Sequence, residues 1–143
     1  AALKEYNIPV DESLIIINEK QIVSSEAGYE AAEYLFRLEN RPDGIFSSND
    51  AAAVRIIQEA KKAGIKIPEE LAIIGFNNDP VSMIIDPPLS TISHPAIDMG
   101  KMAAERVLKA INNKDASAGP VSIVLHTDLI VRESSNRKKT LIL

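Results

Sequence analysis

Two polar turns carry the side chains best equipped for chemistry, Ser47-Ser48-Asn49-Asp50 and Asn77-Asn78-Asp79. Ser47 or Ser48, with Asp50 and a distant histidine, would be raw material for a nucleophilic triad. The Gly-x-Ser-x-Gly elbow that exposes such a serine is absent from the sequence, which argues against a hydrolase and against an enzyme generally. Asn49 and Asn77 each bring a neutral amide with one acceptor group and one donor group. Such amides hydrogen-bond a hydroxylated small molecule and do no acid–base work. Asn49 or Asp50 also suits the cap of a helix beginning at residue 51, because a short side-chain oxygen accepts a first-turn amide. The two roles are compatible if Asp50 caps and Asn49 faces a ligand. Asn77-Asn78 reads equally as a plain turn pair. The two histidines, His94 and His126, have no metal-like spacing and make a poor zinc site, so they are read as packing residues. With no cysteine in the chain, disulfides, thiolate nucleophiles and cysteine-held metals are excluded. No cofactor and no metal are expected.

The elements around these turns alternate. Leu14-Ile15-Ile16-Ile17 reads as a buried strand. Residues 26–38 read as a helix, with Ala27, Ala31, Tyr34, Leu35 and Leu38 on one stripe. A strand over residues 44–47 leads into the first polar turn. The next helix, 51–63, places Ala53, Ile56, Ile57 and Ala60 on one face and stops at Gly64 as at a left-handed cap. The strand 71–76, apolar on both faces, leads into the second polar turn. Alternation of this kind predicts an α/β fold with a parallel sheet and right-handed crossovers. The polar turns then lie beyond the carboxyl ends of adjacent strands, where open α/β sheets bind ligands. Further on, one helical turn over 81–85 precedes Asp86-Pro87-Pro88. A strand over 89–93 and a helix reaching Ile111 follow. After a polar loop, residues 121–131 are extended, and the basic tail is expected to fray.

The chain has 143 residues, 45% hydrophobic, which is enough for a real core and excludes disorder. A net charge of −4 argues against this segment itself holding a DNA backbone. Only 4% of residues are aromatic and none is Trp, so no stacking platform for single strands is visible. No apolar run approaches a membrane span. The chain opens at Ala1-Ala2-Leu3-Lys4-Glu5-Tyr6 in the manner of a helix end, and is expected to be part of a longer protein.

Five stretches together carry a resemblance. These are Ser25-Glu26-Ala27-Gly28-Tyr29; Arg41-Pro42-Asp43-Gly44-Ile45-Phe46 leading to Asn49-Asp50; and Ile67-Pro68-Glu69-Glu70-Leu71 through Gly75-Phe76. Pro87-Pro88-Leu89-Ser90-Thr91-Ile92 and Leu129-Ile130-Val131-Arg132-Glu133-Ser134 complete the set. In this order and spacing they resemble the carboxyl-terminal part of the LacI/GalR family of bacterial transcription regulators. The resemblance implies a parallel-sheet, three-layer, periplasmic-binding-protein-like domain lacking its first half. It implies residues 1–79 as a partial distal subdomain, 80–120 as crossover plus a proximal strand and helix, and 121–143 as return segment and tail. It also implies a strand just before residue 1, whose absence leaves open edges, and a strand 89–93 that has lost its sheet.

The function implied is a cytoplasmic effector-sensing domain. A small, sugar-like molecule in a cleft would alter the affinity of a homodimer for operator DNA, read by an amino-terminal helix-turn-helix. By the same resemblance, Val23, Asn49, Asp50 and Asn77 belong to the ligand site. Val23 stands where many members carry an aromatic ring, and Asn77 where many carry Asp. The alternative of the same fold is a periplasmic sugar-binding protein of a transporter.

Overall fold

A computed structural model describes residues 2–17, 25–112 and 121–137. In chain order the elements are α1 (Ala2–Glu5), α2 (Ser25–Phe36), β1 (Gly44–Phe46), α3 (Asp50–Lys62), β2 (Ala72–Phe76), α4 (Val81–Ile84), β3 (Ser90–Ser93), α5 (Ala96–Ile111) and β4 (Asp128–Ile130). The strands form one sheet in the order β1-β2-β3-β4. β1 and β2 are parallel, with Gly44 opposite Ala72 and Phe46 opposite Ile74. β3 continues the parallel set, Ile74 opposite Ser90 and Phe76 opposite Ile92. β4 closes the far side antiparallel, Thr91 opposite Ile130 and Ser93 opposite Asp128.

The apolar stripe of α3 drives the packing. Ala53, Ile56, Ile57 and Ala60 are buried against Ala32 of α2 and against Leu71, Ile73 and Leu89 from the sheet side. Ile57, Leu71, Ile73 and Leu89 are fully buried, each contributing about 1.5–3 kcal/mol of transfer free energy. Along β2, Ile73 and Gly75 are buried while Ala72, Ile74 and Phe76 are half-buried. The helices α2 and α3 approach closely because Gly28 has no side chain; a Cβ there would lie 2.4 Å from the Ala52 carbonyl oxygen.

Local chemistry fixes the ends of α3. Asn49 is extended at φ −156 and its side chain accepts from Ala52 N at 2.8 Å. At the other end Gly64 adopts φ 73. Its amide bonds the Lys61 carbonyl, and the Ile65 amide bonds the Ala60 carbonyl at 2.9 Å. This is the double hydrogen bond of a Schellman ending, with Ile65 buried behind it.

The structure departs from the sequence expectations at two strands. Leu14–Ile17 is no strand. Asp11 caps a 3₁₀ turn over Glu12–Leu14, accepting from the Ser13 amide at 2.9 Å, and the following isoleucines lie exposed, Ile17 by 77%. A strand needs a neighbour for its amides. The nearest candidate edge, β1, stands across a cavity that Ile16 and Ile17 only line. Ser90–Ser93, expected to have lost its sheet, is instead the direct neighbour of β2. Of the extended stretch 121–131, only Asp128–Ile130 pairs, because only there is β3 within ladder reach. The basic tail beyond Arg137 and most of the polar loop 112–120 lie outside the described residues.

The last described segment stitches the sheet from outside. Ser134, fully buried, donates to the Ile73 carbonyl at 2.6 Å and accepts from Ser90 N at 2.8 Å. Arg137 donates to the Pro68 carbonyl and to Asp43 just before β1. Among the described residues, no helix is long and apolar enough to cross a membrane.

Candidate ligand site at the carboxyl ends of the strands

The first polar turn leaves β1 and the second leaves β2, so parallel pairing brings both to the same end of the sheet. The Ser47 amide bonds the Ile74 carbonyl at 2.8 Å, which locks the two exits in register.

Asp50 occupies the centre of this end and is fully buried. Its Oδ1 accepts from the Thr91 hydroxyl and its Oδ2 from the Asp79 amide, both at 2.7 Å. One carboxylate thus joins the exits of β1 and β2 to the body of β3, through charge-assisted hydrogen bonds. Gly75 makes room for it, since a Cβ at that position would stand 2.1 Å from Asp50 Oδ1. The division of labour expected from the sequence does not hold. Asn49, not Asp50, caps the helix, and Asp50, which the family resemblance also placed at the ligand, is turned into the protein with both oxygens engaged. A cap oxygen must reach back over the first turn, which favours the residue before the helix. Asp50 is already the first helical residue.

Asn77 and Asn78 both have positive φ, 115 and 57. Two consecutive side-chain-bearing residues in this region cost on the order of 1–3 kcal/mol each. The turn is held by its surroundings: Asn77 N donates to the Ile92 carbonyl at 2.9 Å, Asn78 N to Thr91 Oγ1 at 3.2 Å and Asp79 N to Asp50. Asn78 Oδ1 in turn accepts from Arg132 at 2.9 Å. The Asn77 side chain is half-buried and has no hydrogen-bond partner among the described residues. The Asn49 amide nitrogen is likewise unengaged there. Val23 lies outside the described residues.

Sequence reasoning overlooked the two residues that let Asp50 hold this end together. Thr91 passed as an ordinary strand residue; a hydroxyl in a strand flanked by the Asn77 turn was the available signal. Gly75 inside a central strand was the other, since such a glycine marks a close approach. His94 does pack: it stacks on Phe76 with ring centres 5.6 Å apart, beside Asn77 where β2 and β3 end. Among the described residues no cluster of three or more His, Asp or Glu side chains could hold a metal.

A cavity of about 710 Å³ in this region is lined mainly by apolar residues, with Ser47, Ser48 and Asn49 among its lining. It runs along the free edge of β1 between α2 and α3, with Ala31, Leu35, Ile45 and Ile56 in its walls and Asn49 at its rim. Asn77 takes no part in it. The structure thus brings Asn49 and Asn77 to one end of the sheet without enclosing them in one cavity.

A parallel sheet with ligand-ready turns at its carboxyl end is the architecture of periplasmic-binding-protein-like domains, and the comparisons agree. The chain belongs to the family of the periplasmic binding protein-like domain, which matches residues 1–135, in the branch formed by the LacI-family regulators. It is 39% identical to the transcriptional regulator DegA of Bacillus subtilis over 97% of this chain and 40% of that protein. It is 35% identical to NtdR, the NTD biosynthesis operon regulator of the same organism, over 94% of this chain and 40% of that protein. The transcriptional regulator LacI from Bacillus cereus subsp. cytotoxis superposes with TM-score 0.85 at 27% identity, covering 94% of this chain and 46% of that one. The regulator CelR in complex with cellobiose superposes equally, TM-score 0.85 at 25% identity, over 94% and 39%. The chain thus spans about 40% of the length of these two relatives. They are regulators rather than enzymes or transport proteins.

Proposed function

We propose that this chain is the effector-sensing part of a cytoplasmic, DNA-binding transcriptional regulator. A small polyhydroxylated molecule lies against the carboxyl ends of β1 and β2, hydrogen-bonded by the amides of Asn77 and Asn49 and flanked by Val23. Asp50 serves this site from behind by fixing the turns. The opposite wall, and the helix-turn-helix that reads the operator, belong to the part of such regulators that this chain does not span. The active species is a homodimer, for which the exposed Met83 and Ile84 of α4 offer an apolar face. Residues 1–79, together with β3 of the same sheet, form the distal lobe of the cleft; the rest of 80–120 supplies the crossover and the proximal helix, and 121–143 the return.

The carrying observation is Asn77: a side-chain amide unpartnered among the described residues, at the end of a central strand, on a backbone conformation that surrounding hydrogen bonds maintain. Neighbours with a sugar in place, such as the cellobiose complex, support the ligand class. The test is titration calorimetry on the full-length protein with a panel of mono- and disaccharides, glucose and cellobiose included. One panel member should bind, and Asn77→Ala should weaken it about 2- to 12-fold, the worth of one neutral hydrogen bond. A panel without any binder would remove the sugar class. A binder indifferent to Asn77→Ala would remove Asn77 from the site.

A further inference from the structure

The guanidinium of Arg132 lies behind the second polar turn and engages three elements at once. One terminal nitrogen donates to the Leu89 carbonyl at 2.7 Å and to Ser82 Oγ at 3.1 Å; the other donates to Asn78 Oδ1 at 2.9 Å. Its own backbone is clamped, since Arg132 N donates to Ser90 Oγ at 2.7 Å and Ser90 Oγ donates to the Arg132 carbonyl at 3.0 Å. Ser82 is fully buried in α4, and the Leu89 amide bonds the Ser82 carbonyl at 2.8 Å. A planar fork serves these acceptors from two separate nitrogens held in fixed directions; an ammonium also has three donors, but all on one nitrogen at the end of a flexible stem.

We propose that Arg132 is a positioning residue for the ligand-side turn, and that it joins this turn to α4 so that the two move as one body. The reasoning runs through Asn78. At φ 57 its backbone is unfavourable, and its side chain has one anchor, Arg132. Its amide has another, Thr91. Removing the first anchor leaves the turn held by its backbone amides alone, to Ile92 and Thr91 of β3 and to Asp50 of α3, and the direction of the adjacent Asn77 side chain is then less firmly set. The same loss takes the Arg132 bond from Ser82 Oγ, leaving α4 held to the turn by the Ser82 amide bond to the Asp79 carbonyl, so slack at the turn and slack at α4 arise together. Events at the carboxyl end of β2 therefore reach the exposed Met83–Ile84 face through this side chain as well as through the short backbone link, in which the Ser82 amide bonds the Asp79 carbonyl at 2.8 Å.

The functional meaning rests on Asn77 being a ligand contact, but the test needs no ligand. Amide hydrogen exchange is followed by NMR on the full-length protein, wild type and Arg132→Met. Exchange of Asn78 and Asp79, and of Ser82 and Met83, should quicken at least tenfold, with Ala53 and Ile57 in the core unchanged. Arg132→Lys, which keeps the charge but not the fork, should show the same pattern at reduced size, and it carries the test if Arg132→Met does not fold. Unchanged Asn78 exchange would overturn the proposal, as would acceleration of turn and core by one common factor. If the exchange pattern holds while Asn77→Ala leaves sugar binding untouched, the positioning role stands and the ligand reading fails.

Discussion

Asp50 shows how a single buried carboxylate organises the turns at the carboxyl end of the sheet. Its two acceptors replace water for the Thr91 hydroxyl and the Asp79 amide, and both donors lose their partner in Asp50→Ala. Leaving a buried donor unsatisfied costs about 1–3 kcal/mol, so Asp50→Ala should destabilise the chain by about 2–5 kcal/mol in urea unfolding. Gly75→Ala attacks the same point from the other side, by steric conflict with Oδ1, at about 1–3 kcal/mol. The double variant should cost clearly less than the sum, because removing the carboxylate makes space for the methyl group. Strict additivity would show that the two residues do not share this contact.

Elements were legible where one local rule governed them. The 3.6-residue stripe and Gly64 located α3 to within a residue at each end, because the amphipathic face, the cap oxygen and the left-handed ending agree. Gly64→Ala should therefore cost about 1–2 kcal/mol, the penalty of a Cβ in left-handed backbone, measured by thermal or denaturant melting. A loss under a few tenths would mean the helix ends without that conformation. The strand expected at 14–17 failed for the complementary reason: four apolar residues say that a segment wants burial, and say nothing about whether an edge stands ready to pair with it. That the two polar turns leave the same end of the sheet was legible. It was not legible which of Asn49 and Asp50 looks outward, because that depends on Thr91, distant in sequence, and on a glycine whose use is to leave space.

At the scale of the molecule, apolar surface is left uncovered in specific places. β1 pairs on one side only among the described residues. Phe46 on that edge is 62% exposed, and the cavity alongside is walled by aliphatic side chains. Such an edge accepts another strand readily, whereas a charge on it discourages pairing. The 143-residue chain by itself should associate in size-exclusion chromatography with light scattering, and Phe46→Lys should shift it towards monomer. A monodisperse wild-type monomer would contradict this. The exposed stripe on α5, with Ile97 and Ile111 each more than two-thirds accessible, adds to the same tendency.

The stitching by residues 132–137 has a consequence for how the chain comes into being. Ser134 meets Ile73, 61 positions earlier, and Arg137 meets Asp43, 94 positions earlier. A ribosome adds residues at about 5–20 per second, so β1, β2 and α3 exist as polymer for several seconds before the groups that lock their bases are made. Throughout that interval the Ile73 carbonyl and the Ser90 amide must be served by water or by wrong partners. The nascent sheet is thus a provisional object until residues 132–137 have been added.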